Sequence, residues 1–149
     1  MKALLTAIQT QLQTDLTYIR DSDIYVTPHI NFIPPGVSLP CVGIKDGSVV
    51  RSELSGGMWE AKLKVRLVVY VQLAKPEATI IGDTATSKKG VLEIVDDIHA
   101  SLDENLLGIT GIIAAFSPSE SESEMFGDEN ENLQRKITDY EYEKEETRP

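Results

Sequence analysis

Little in this sequence is suited to catalysis. Cys41 is the one cysteine in 149 residues, so no disulfide can form within the chain, which fits a reducing compartment. A cysteine nucleophile needs a base beside it, and the sequence offers none, so Cys41 is expected as a small residue packed in a strand. The glycines Gly36, Gly43, Gly47 and the pair Gly56-Gly57 build neither a phosphate loop nor a dinucleotide fingerprint. No GxSxG elbow is present. No uncharged apolar run reaches about 18 residues, so no transmembrane helix is expected. The opening MKALLTAIQTQLQTDL lacks the continuous apolar stretch of a signal peptide and reads as an amphipathic helix of a cytoplasmic protein. Basic excess is missing too. There are 14 Lys/Arg against 24 Asp/Glu, a net charge of −10. Residues 117–149 hold 11 acids and 4 bases, a balance of −7. Such a surface repels phosphate backbones, so direct nucleic-acid binding is disfavoured, although DNA could pass without sticking.

What is present is apolar periodicity. The hydrophobic fraction of 41% supports a real core in one domain of this size. At 100° per residue, Leu4, Leu5, Ile8, Leu12, Leu16 and Ile19 form one stripe, which predicts a helix over Lys2–Ile19 lying on a sheet. Ile24–Thr27 is a short strand. PHINFIPPGVSLP carries four prolines and is a loop of extended character. Cys41–Lys45 and Val49–Leu54 read as strands joined by a turn at Asp46-Gly47, with a second turn at Ser55-Gly56-Gly57.

MWEAKLKVRLVVYVQLA then alternates for longer than strands usually do. Fully extended, Trp59–Leu73 would span ~50 Å, against ~17–20 Å for a common strand. Its early half has a wet face of Lys62, Lys64 and Arg66; from Leu67 to Val71 both faces are apolar. Such a strand bends over a neighbouring sheet or projects a hairpin past the globule. Lys75–Asp83 is a loop, Thr84–Asn105 a second helix, Ile109–Phe116 a strand, SPSESESEMFGDENEN a solvated loop and Leu133–Tyr142 the last strand. The fold class is α+β: two helices on a mostly antiparallel sheet, one domain over residues 1–142, with 143–149 a flexible acidic tail.

Asp96, His99 and Asp103 share a helical stripe. They could ligate a metal with help from a second element, or form an exposed polar face. His29 reads as a loop residue. Met58 and Trp59, at the tip of the long strand, suit either a satellite contact under the hairpin or an anchor for a partner subunit. The row Lys62, Lys64, Arg66 could meet the acidic segment of a neighbouring copy, which holds Glu120, Glu122 and Glu124, in a head-to-tail contact that closes into a ring. It could equally pair with Asp139 and Glu141 of its own chain.

The order of a helix, a proline loop (NFIPPGVSLPCVGI), WEAKLKVRLVVYVQL, GVLEIVDDIHASLDENLLG, a strand, an acidic loop and RKITDYEYE resembles the tail terminator, or tail-completion, proteins of tailed bacteriophages, including those of lambda-like and Mu-like phages. The resemblance covers about residues 2–142. It implies a virion protein assembled in the host bacterial cytoplasm, with an α/β fold, no cofactor and no enzymatic activity. It also implies a ring, typically hexameric, that caps the tail tube and presents a face to head and neck proteins, with the sheath a further possible partner and DNA passing through. Two other readings stand beside it: a head–tail connector or neck component, and a small α+β enzyme or ligand-binding protein.

Overall fold

A computed structural model of the chain describes residues 1–73, 75–83, 88–127 and 133–147. The elements are α1 (Lys2–Asp15), β1 (Ile24–Val26), β2 (Cys41–Glu53), β3 (Met58–Gln72), α2 (Pro76–Ile81), α3 (Val91–Leu102), β4 (Ile112–Glu120), β5 (Glu124–Phe126) and β6 (Leu133–Thr147). The fold is α+β. One sheet has the order β1-β2-β3-β6-β4, with β5 also on β6. Every pairing is antiparallel except β1 with β2.

The period-2 pattern of β3 sets the layers. Its odd-numbered residues Ala61, Leu63, Val65, Leu67, Val69 and Val71 are buried under the helices. The stripe of α1 and the face of α3 holding Val91, Ile94, Val95, Ile98 and Leu102 cover them. Each fully buried Leu or Val contributes ~1.5–3 kcal/mol relative to exposure. The opposite face has a second, smaller core: Tyr25, Cys41, Val68, Tyr70 and Leu133, packed by Ile30, Ile33, Val37 and Leu39 of the proline loop and by Phe126 and Ile137. Asp23 ties that loop down. It accepts from the Arg20 guanidinium at 2.9 Å and from the Ser38 N–H at 2.9 Å. No helix among the described residues is long and apolar enough to cross a membrane.

Several expected boundaries move. α1 ends at Asp15, four residues before the stripe does, yet Leu16 and Ile19 stay buried. The turn expected at Asp46-Gly47 is a bulge inside one long strand, β2. Gly47 lies so close to β3 that an added Cβ would sit 2.7 Å from the Lys64 carbonyl oxygen. A short helix, α2, occupies the expected loop at Lys75–Asp83, with Pro76 in its first turn. Of the second helix, Val91–Leu102 is helical, and 84–87 lie outside the described residues. β4 begins later and runs on to Glu120, and β5 occupies part of the expected acidic loop, whose residues 128–132 lie outside the described residues. The expected flexible tail from Glu143 is strand as far as Thr147, because β3 offers it partners down to Met58; 148–149 lie outside the described residues.

Candidate assembly surface

The proline loop covers only the half of the outer sheet face nearest Gln72. Among the described residues, no second layer covers the outer face of β2, β3, β6 and β4 beyond Arg66. Its rows follow from the register. Val50, Lys62, Glu143 and Ala114 are successive neighbours across the four strands. Lys64 lies beside Glu141, and Glu141 beside Phe116. Lys45, Arg66, Asp139 and Ser119 make the third row. The face is therefore striped lengthwise: basic on β3, acidic on β6, with Val50 and Phe116 exposed on the flanks at 51% and 41%.

This places the predicted basic row. Arg66 donates to Asp139 of its own chain at 2.9 Å, and Lys62 and Lys64 stand opposite its own Glu143 and Glu141. Within the chain, Arg66 thus has a carboxylate partner, and Lys62 and Lys64 have acidic register neighbours. The Arg66 pair is half exposed, so it stabilises by ~0–1 kcal/mol. A concavity of about 660 Å³ crosses the sheet where the loop ends, with Lys45, Lys64 and Arg66 facing Asp46, Asp139 and Glu141.

Met58 and Trp59 open β3 at the far tip and are half-buried. Trp59 lies between Glu53 of β2 and Glu146 of β6 in the register, and Thr147 Oγ1 lies 3.9 Å from Met58 Sδ. Glu120, Glu122 and Glu124 are exposed, but two of them are held. Glu120 Oε2 is 3.1 Å from His99 Nε2, and Glu124 accepts from Arg135 at 2.8 Å. Arg135 also lies over the Phe126 ring, 4.1 Å from its centroid. Lys136 Nζ donates to the Ser121 carbonyl at 2.7 Å. The acidic segment is thus tied to β6 and α3 at Glu120, Ser121 and Glu124, where the sequence reads as a solvated loop.

The Asp96/His99/Asp103 stripe does not form a ligand set. His99 Nδ1 is 2.5 Å from the Tyr140 hydroxyl, and that hydroxyl donates to Asp103 at 2.9 Å. No group of three His/Cys/Asp/Glu able to hold a metal occurs among the described residues. His29 Nδ1 accepts from the Asn31 N–H at 3.0 Å. Cys41 is fully buried, and burial pushes its thiol up to about 11, well away from a reactive thiolate. Sequence reasoning missed the Arg20–Asp23–Ser38 tie and the acidic lane beyond Tyr142. The alternation in EYEKEET was the available signal for that lane.

No protein-family model matches this chain, and no curated protein matches it. Among solved structures, a chain in the virion of a native gene transfer agent particle has a similar fold. It is 16% identical, with a TM-score of 0.61, and the match covers 96% of this chain and 95% of that one. At that identity the likeness is one of fold, and it runs end to end through both chains.

Proposed function

We propose that this chain is a structural subunit of a phage-type virion, and specifically a tail terminator. It forms a ring, hexameric by the family resemblance, that caps the tail tube and joins it to the head and neck. The observation that carries this reading is the end-to-end likeness in fold to a chain of a gene transfer agent virion. A local likeness would speak only for a common motif; here the whole subunit is matched in length and layout. Two features support it. The distal half of the sheet outruns the outer layer, as suits a subunit whose strands pack on a neighbour. The net charge of −10 suits a passage through which DNA moves without adhering. In this reading Met58 and Trp59 at the tip, and Glu120, Glu122 and Glu124 at the sheet edge, belong to contacts between subunits or with the tube protein. The protein is then neither an enzyme nor a cofactor carrier.

Negative-stain microscopy of the purified protein, alone and mixed with tail tubes, tests the reading. Closed rings seated on tube ends are expected. Strict monomers at high concentration that ignore tube ends would overturn it. Rings that bind heads but not tubes would place the protein in the neck instead.

A further inference from the structure

The uncovered outer face has a symmetry in its chemistry. On β3 and β6 its inner lanes are basic (Lys62, Lys64, Arg66) and acidic (Glu143, Glu141, Asp139); the flanking lanes are apolar at Val50 on β2 and at Ala114 and Phe116 on β4, and end in Lys45 and Ser119. Consider two such faces brought together by a two-fold axis lying in the interface. If the axis runs along the strands between β3 and β6, left and right lanes exchange while height along the strand is kept. Each basic lane then lies over the other copy's acidic lane, and each Val50 over the other copy's Ala114, with Phe116 one row along. If the axis runs across the strands, lysine meets lysine and glutamate meets glutamate. Charge therefore selects one of the two arrangements.

We propose that this half-face is a contact between two copies of the chain, related by a two-fold axis parallel to β3. The two sheets stack as an aligned sandwich, the ordinary geometry for sheets meeting face to face. The contact has natural limits. At one end the proline loop with His29 and Ile30 rises from the sheet beside Lys64 and Arg66. At the other, Glu60 stands opposite Glu145, and a second copy would only add like charge. Between these limits lie three rows on four strands, ~19 Å by ~20 Å, or ~400 Å² on each copy. A standard stable interface uses ~800 Å² per partner, so this dimer is weak, wet and salt-sensitive.

An isologous contact of this kind pairs subunits and cannot by itself propagate a ring. The proposal therefore does not depend on the virion reading, and the two can fail separately.

Sedimentation of the full chain at low and high salt is the test, with circular dichroism checking the fold of each variant. Wild type should show a concentration-dependent dimer at low salt that dissociates in high salt. Lys62→Glu with Lys64→Glu turns both lanes acidic, and Glu141→Lys with Glu143→Lys turns both basic. Each double variant should weaken the dimer about tenfold or more at low salt, since four attractive pairs across the contact become repulsive. Mixing the two double variants should restore association as a heterodimer. The fourfold swap, which keeps every lateral pair within the chain, should restore the homodimer. A wild-type chain that stays monomeric at low salt would overturn the contact and leave this face to water or to another protein. So would double variants that associate like wild type, or a mixture that does not recover.

Discussion

The two halves of the sheet are built from the same strands and behave as different materials. Near Gln72, β3 is covered on both faces: Leu67 and Val69 under the helices, Val68 and Tyr70 under the proline loop, all of them fully buried. Toward Met58 the same strand keeps its inner face, Ala61, Leu63 and Val65, and turns Lys62 and Lys64 to the outside. The chain encodes the change by swapping aliphatic for basic side chains at alternate positions, without interrupting the ladder with β6, although β2 bulges at the junction. A strand can thus be core at one end and surface at the other while its hydrogen bonds to one neighbour continue unchanged.

The sharpest break in that comparison comes from truncation. Leu67→Ala, in the two-sided half, should cost ~2–5 kcal/mol in urea unfolding, whereas Val50→Ala on the open face should stay within ~0.5 kcal/mol. Equal costs would mean that the distal face is covered after all. Next is the tie beneath the proline loop. The Arg20 guanidinium and the Ser38 N–H hold the Asp23 carboxyl below its ordinary value of 3.8 despite burial. Its contribution is therefore complete at neutral pH and fades as pH falls below about 4 toward the depressed folded value. Asp23→Asn should destabilise by ~1–3 kcal/mol at pH 7, with the difference from wild type shrinking in acid. A pH-independent difference would detach the carboxylate from that role.

A finer contrast lies within β6. The Tyr140 hydroxyl bridges His99 and Asp103, while the buried Tyr142 hydroxyl has no hydrogen-bond partner among the described residues. Tyr142→Phe should be neutral or stabilising by up to ~1 kcal/mol, and Tyr140→Phe should be destabilising by a similar amount; the reverse order would show that Tyr142 has found a partner. Smallest is the like-charge pair at the tip. Glu60→Lys, opposite Glu145, should raise stability by ~0.2–1 kcal/mol, visible as a higher urea midpoint at low salt and not at high salt.

The sequence was most readable where burial is one-sided or complete. The stripe of α1, the long alternation of β3 and the apolar face of α3 each follow from a single period. Legibility failed where two causes give the same letters. Asp46-Gly47 reads as a hairpin turn, but here Gly47 is the residue without a side chain that lets a bulge pass close to Lys64. EYEKEET reads as a charged tail because its outward residues are acidic; its strand character comes from its partners Met58–Lys64 on β3, far back in the chain, and no local rule reports that. The basic row and two of its acidic neighbours, Asp139 and Glu141, could be named from the sequence, but Glu143 and the pairing itself could not, since register is a property of the whole sheet. Pro76 followed by Glu77 did carry a helix-start signal for α2 that a loop reading overlooked.

β6 is the last strand in sequence and yet an inner one, lying between β3 and β4. Every residue of β3 from Met58 to Gln72 has its partner there, and β4 has no other strand neighbour among the described residues. While the ribosome is still making residues 133–147, β3 therefore presents a long apolar edge with nothing beside it. Such distant pairings form slowly, and an unpaired edge of that kind invites aggregation. That edge stays open until those fifteen residues take their place between β3 and β4.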